Sequence, residues 1–133
     1  MHAFAQPRQA ARAYARVDLS SNAMSASPHQ LVTLLFDGAQ AALRKAGQAI
    51  AVGDAQARGT ALSKAIDIIE RGLRAGLDLD QGGEIAVQLD LLYDYMTRRL
   101  LIANLKADGA AVAEVERLMG GIASSWKQIG SEV

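Results

Sequence analysis

The segment 85–105 constrains the fold most, because it is apolar on two faces at the helical repeat of about 100° per residue. One stripe comprises Ile85, Leu89, Leu92, Tyr93, Met96, Leu100 and Ala103. The second comprises Leu91, Tyr95 and Ile102, with Val87 and Leu105 at its margin. The core of a four-helix bundle uses one stripe of each helix. We therefore assign the first stripe to the core and expect the second to face a partner.

The composition favours a single helical domain. The chain has 133 residues, of which 50% are hydrophobic and 5% aromatic, and no stretch alternates cleanly between apolar and polar residues as a half-buried strand does. We predict an all-α fold, an antiparallel four-helix up-down bundle over residues 27–133. Residues 1–26 are predicted to be a short N-terminal helical arm and a linker.

Capping residues mark where the bundle helices begin. Ser27 and Gln30 have the spacing of a capping box, and Pro28 suits the first helical position. Asp54 and Asp108 are natural caps for later helices. The predicted helices span about 28–51, 55–78, 85–105 and 109–129.

Charge and composition exclude several classes of protein. The 14 basic and 14 acidic residues cancel, and the chain has no cysteine. A nucleic-acid partner would need a basic patch, and a zinc site of thiolate ligands would need cysteines. The start lacks the apolar run of a signal peptide, and no stretch reaches the roughly 18 apolar residues of a membrane span. We expect a soluble cytoplasmic (cytosolic) protein with no nucleic-acid partner and no membrane insertion.

The polar residues offer little catalytic chemistry. Neither His2 nor His29 has a glutamate three residues before it, as di-iron bundles require. We predict that His29 is a solvated surface imidazole. Asp90 and Asp94 lie one turn apart, but an ion pair between Asp94 and Arg98 on a wet face with Thr97 and Asn104 explains them better. The sequence therefore predicts that the chain is not an enzyme and has no cofactor or metal.

Several short stretches occur in a specific order along the chain. They are Tyr14, Ser25–Val32, Leu35–Gly38, Leu62–Ile66, Ile68–Glu70, Gly72–Leu73, Leu77–Asp78, Gly82–Ala86, Leu92–Met96, Arg98–Leu101, Ala103–Asn104, Val115–Glu116, Leu118–Met119, Ile122–Ala123 and Trp126–Lys127. In this order and spacing the chain resembles the flagellar export chaperone family, FliS, over essentially its whole length.

The resemblance implies a bacterial cytoplasmic chaperone for newly made flagellin. Such a protein binds the disordered C-terminal segment of flagellin, prevents its premature polymerisation and supports delivery to the flagellar type III export apparatus, which would be an indirect partner. The resemblance also implies that the N-terminal arm covers the client surface when no client is bound. Tyr14 is the arm residue that matches, and Val17 shares its predicted face.

We predict a client-binding groove formed by the second stripe and by small side chains of the second helix. Its residues are Ile68, Gly72, Ala75, Leu79, Leu91, Tyr95 and Ile102, and the predicted N-terminal cap is Tyr14 and Val17. Two alternatives remain open. A helical homodimer or adaptor without a chaperone role would pair the second stripe with its own copy. A helical enzyme or cofactor binder would need a cluster of reactive groups that the sequence does not contain.

Overall fold

A computed structural model of the chain describes residues 26–131, so the predicted arm with Tyr14 and Val17 lies outside the described residues. The elements are α1 (Pro28–Val52), α2 (Ala55–Asp67), the π-segment (Ile68–Arg74), α3 (Gly83–Lys106) and α4 (Gly109–Ser131). The π-segment continues directly from α2, so these elements form an all-α bundle of four helices, as predicted.

The predicted caps form as the sequence indicates. Ser27 Oγ accepts a hydrogen bond from the Gln30 amide at 3.1 Å, and the Ser27 amide donates to Gln30 Oε1 at 2.9 Å. At the other end, Gly53 has φ 75°, a left-handed conformation that glycine adopts without strain. Asp54 Oδ1 then accepts from the Ala57 amide at 3.0 Å and caps α2.

The helices pack in a ring. The helix α1 lies between α2 and α4, and α3 packs against α4 on one side and against α2 and the π-segment on the other. The helices α2 and α3 are antiparallel, since Arg58, early in α2, lies within hydrogen-bond distance of Asn104, late in α3. The first stripe of α3 faces inward, since Tyr93, Met96, Leu100 and Ala103 are fully buried. Ile85 was assigned to this stripe wrongly. It lies in the first turn of α3 and is 57% exposed, while Ala86 takes the inward position there.

The predicted single α-helix over 55–78 is wrong in its second half, where the chain widens into the π-segment. The Ala75 amide donates to the carbonyl of Glu70, five residues earlier, at 3.1 Å. Ala65, Ile69, Leu73 and Leu77 are buried at a regular spacing of four residues. In an α-helix this spacing drifts by about 40° at each step and by about 120° over the three steps. The wider π turn holds more residues and reduces this drift over Ile68–Arg74.

His29 joins the start of α1 to the end of α4, which corrects its prediction as a solvated side chain. Its ring stacks on Trp126 with centroids 4.5 Å apart and planes 9° apart. His29 Nε2 lies 2.8 Å from the Trp126 carbonyl oxygen, and Trp126 Nε1 donates to the His29 carbonyl at 3.2 Å. These contacts hold the two helix ends together.

Candidate functional site

The outer face of α3 is an exposed apolar surface, which we call the α3 strip. Its residues and exposed fractions are Val87 (48%), Leu91 (64%), Tyr95 (37%), Ile102 (39%) and Leu105 (82%). They are the second stripe of the sequence and face away from the buried stripe of the same helix. An exposed set of apolar side chains along one helix face is typical of sites that bind another chain.

One edge of the α3 strip is fixed to α4 by a three-residue contact. The Tyr95 hydroxyl donates to Glu114 Oε2 at 2.6 Å, and Arg99 Nε donates to Glu114 Oε1 at 2.7 Å. The hydrogen bond from Tyr95 and then that from Arg99 lower the pKa of Glu114. The Tyr95 ring is therefore held at the boundary between α3 and α4, and its outer surface remains accessible.

The opposite side of α3 meets α2 and the π-segment through polar contacts. Arg74 Nε donates to Asp90 Oδ1 at 2.7 Å, and Arg74 Nη1 lies 3.2 Å from both Asp94 Oδ1 and Glu70 Oε1. Thr97 Oγ1 donates to Glu70 Oε2 at 2.8 Å. The hydrogen bond to Asp90 is the largest cause of the raised pKa of Arg74. The seam between the second and third helices is thus filled by an ionic network.

The polar face of α3, with Asp90, Asp94, Thr97 and Asn104, makes more contacts than the sequence analysis predicted. The ion pair between Asp94 and Arg98 forms at 3.0 Å, as expected. However, Asp90 and Asn104 face side chains of the preceding helix instead of open solvent. The sequence pattern showed that these residues share a face, but it could not show which neighbour that face meets.

The comparisons with known proteins agree with one another. Residues 10–133 match the family model described as "Flagellar protein FliS". The chain belongs to the FliS family. Proteins similar to it, each named "Flagellar secretion chaperone FliS", come from Salmonella typhimurium, with 58% identity over 118 residues (89% of this chain and 87% of the relative), and from Escherichia coli, with 50% identity over 117 residues (88% and 86%). One from Vibrio cholerae is 38% identical over 125 residues (94% and 91%).

FliS proteins are a chaperone family and not enzymes, so the surface of this chain matters more than any reactive group. Within residues 26–131, no three His, Asp or Glu side chains converge as metal ligands would. Across the same residues, none of the helices has both the length and the apolarity that crossing a membrane requires.

The structure separates the seven residues of the predicted groove into two sets. Leu91, Tyr95 and Ile102 are exposed on the α3 strip, and Leu79 is 51% exposed in the connection before α3. Ile68 and Gly72 are buried and Ala75 is half-buried, so the assignment of Ile68 and Gly72 to an open groove is wrong. Ile68 continues the buried face of Ala61 and Ala65 at α-helical spacing, and the Arg74 network occupies the seam that the groove was expected to follow.

A concave surface between α1 and α2, which we call the α1–α2 cleft, was not predicted from the sequence. It has a volume of about 740 Å³ and lies between α1 and α2. Its floor includes Gly38, Ala42, Ala49 and Ala61, and Lys45 and Lys64 also line it. The small side chains on α1 were visible in the sequence as a sign of close helix packing, but that packing leaves an open depression on the outside.

Proposed function

We propose that this chain is an export chaperone that binds the disordered C-terminal segment of flagellin along the α3 strip. Binding there would prevent premature polymerisation and keep the subunit ready for the flagellar type III export apparatus. The observation that carries the proposal is the exposure of Leu91, at 64%, on a helix that already buries Tyr93, Met96 and Leu100 completely on its inner side. The names of the relatives, flagellar secretion chaperones, support the same role.

The length of the α3 strip suits a client that folds on binding. Ordering a disordered chain costs about 1–2 kcal/mol per residue in backbone entropy, and apolar burial returns about 25 cal/mol per Å². Each ordered residue must therefore bury roughly 40–80 Å². A small pocket cannot supply this area repeatedly, whereas α3, from Gly83 to Lys106, presents apolar side chains along most of its length.

The strip also suggests how the client is oriented. An amphipathic client helix can lay its apolar face along α3, with the Tyr95 ring at one edge. Arg98 lies among the strip residues and its side chain is 68% exposed, although it pairs with Asp94. The client helix should carry its own apolar residues at helical spacing, with polar side chains on its outer side.

We further propose that the N-terminal arm covers the α3 strip in the free protein, with Tyr14 and Val17 as its contact residues, and that the protein acts in the cytosol. An uncovered strip promotes self-association, so a cap would keep the free chaperone monomeric. The client would displace the arm, and its apparent affinity would be lowered by the free energy of that exchange.

Co-purification with the C-terminal segment of flagellin from the same organism, followed by hydrogen exchange on both partners, tests the proposal. Amides of 85–105 and of the flagellin segment should gain protection together, while those of 40–52 in α1 should not. Protection that is confined to the flagellin segment, or that is centred on another helix, contradicts the assignment of the α3 strip as the binding site. A concentration-independent dimer in light scattering, with the strip protected in the free chain, favours the homodimer instead.

A further inference from the structure

The α1–α2 cleft has the shape of a seat for one more helix. On α1 its lining residues recur at helical spacing from Gly38 through Lys45 to Val52, which spans about four turns. On α2 the lining continues from Asp54 to Lys64. Six of the 13 lining residues are alanine or glycine, so the backbone of a third helix could approach both helices closely, as in helix-in-groove recognition.

The charges at the cleft indicate what kind of helix fits. Neither Lys45 nor Lys64 has a carboxylate within ion-pair distance among residues 26–131. The acidic residue in the lining is Asp54, whose Oδ1 already accepts from the Ala57 amide as the cap of α2. We propose that the α1–α2 cleft is a docking site for an amphipathic helix of another protein, with small apolar residues facing the cleft and acidic residues at its flanks.

The chain's own N-terminal segment is a poor match for this site. Residues 1–25 contain three arginines, Arg8, Arg12 and Arg16, but one acidic residue, Asp18. Such a segment would bring positive charge to a cleft that is lined by unpaired lysines. Charge complementarity therefore favours a foreign acidic helix over the arm.

A second copy of the chain is also a poor match. In a two-fold dimer the same patch lies on both sides of the interface, so two clefts facing each other would bring the lysines of one copy toward those of the other. Like charges across an interface disfavour association. The proposal does not depend on flagellin binding, because the cleft is formed by α1 and α2 whereas the strip lies on α3.

Two synthetic peptides and the full-length chain test the proposal. Both peptides have the same alanine and leucine face over about four helical turns, and one carries glutamates at the flanking positions while the other carries lysines. Binding is measured by fluorescence anisotropy at low and high salt. The glutamate peptide should bind about tenfold more tightly than the lysine peptide, a difference of about 1.4 kcal/mol, because it can form two partly exposed ion pairs with the lysines. The difference should shrink at high salt.

Reversing the charge of the two lysines tests whether the peptide binds in the cleft. The double variant Lys45→Glu with Lys64→Glu should reverse the preference between the two peptides. Arg44→Glu is the matched control, since Arg44 is an exposed neighbour on α1 that does not line the cleft, and this variant should keep the wild-type preference. Circular dichroism of each variant checks that the bundle is intact.

Three results would overturn the proposal. The two peptides bind equally to the wild-type chain; Arg44→Glu changes the preference as much as the double variant does; or carboxyl-to-amine cross-linking of the free chain joins Lys45 or Lys64 to Asp18 or to a second copy. Equal binding of the two peptides means that the lysines do not select the helix, an equal effect of Arg44→Glu means general electrostatic attraction, and the cross-link means that the chain itself fills the cleft. None of them bears on flagellin binding by α3, so failure here leaves the proposed function standing.

Discussion

Shortening the Leu91 side chain to alanine tests whether this residue binds a client or stabilises the fold. Leu91 is 64% exposed, and full burial of a leucine side chain contributes about 1.5–3 kcal/mol. A client that covers the exposed part therefore gains about 1–2 kcal/mol from this residue. Leu91→Ala should weaken flagellin binding about 5- to 30-fold and change the stability of the free chain little, because the side chain lies outside the core.

Isothermal titration calorimetry with the flagellin C-terminal segment and urea unfolding of the free variant provide the two readouts. Leu101→Ala is the matched control. Leu101 is 55% exposed on the same helix, but its ten-residue separation from Leu91 turns it about 80° away from the centre of the strip. This variant should bind as the wild type does. Equal losses of affinity in both variants would show that exposed leucines matter only through general hydrophobicity.

Charged substitutions sharpen the same test. Leu91→Asp should abolish detectable binding and leave the helical circular dichroism intact. Met96→Asp should unfold the bundle, because Met96 is fully buried and an unpaired buried carboxylate costs several kcal/mol out of a total stability of about 5–15 kcal/mol. If both variants stay folded and both lose binding, or if both unfold, the division of α3 into an inner and an outer stripe is wrong.

Four further outcomes follow from individual contacts. Tyr93→Phe should raise the free energy of unfolding by about 1 kcal/mol in urea titrations, because the Tyr93 hydroxyl is buried without a hydrogen-bond partner among the described residues; a loss of stability would reveal a hidden partner. Arg74→Gln should lower that free energy by about 1–2 kcal/mol, since it leaves three carboxylates facing one another. Because the pKa of Glu114 is lowered in the folded chain, the charged Glu114 side chain stabilises the fold at neutral pH, and this stabilisation is lost as the pH falls through that pKa. The free energy of unfolding should therefore depend less steeply on pH in the acid range in Glu114→Gln. In Gly130→Ala the new methyl group would collide with the His29 ring, so tryptophan fluorescence should shift and the melting temperature should fall, whereas an unchanged spectrum would mean that the ring stack does not restrict this position.

Local sequence signals predicted the helix ends well. Ser27 and Gln30 satisfy each other within four residues, and Gly53 with Asp54 ends α1 and caps α2. These features depend on hydrogen bonds between close neighbours in the chain, so residue type and spacing are sufficient to recognise them.

Features that depend on the relative rotation of two helices were harder to predict from the sequence. His29 has no local sign of its contact with Trp126, which lies 97 positions along the chain. Similarly, the assignment of Ile68 and Gly72 to the client-binding groove could not include how this helix is rotated against its neighbours, and both residues lie in the core. The π-segment has one sequence sign, the four-residue spacing of the buried side chains from Ala65 to Leu77.

The exposure of the α3 strip is enforced by contacts on both of its flanks. Rolling α3 inward to bury the strip on the side of α2 would break the hydrogen bonds of Asp90 and Thr97 with Arg74 and Glu70. Rolling it in the opposite direction would separate Tyr95 and Arg99 from Glu114. Because these polar contacts fix the rotation of α3, the apolar side chains opposite the core remain outside even though their burial would be favourable. An exposed strip held in this way is suited to a partner that arrives from outside the bundle.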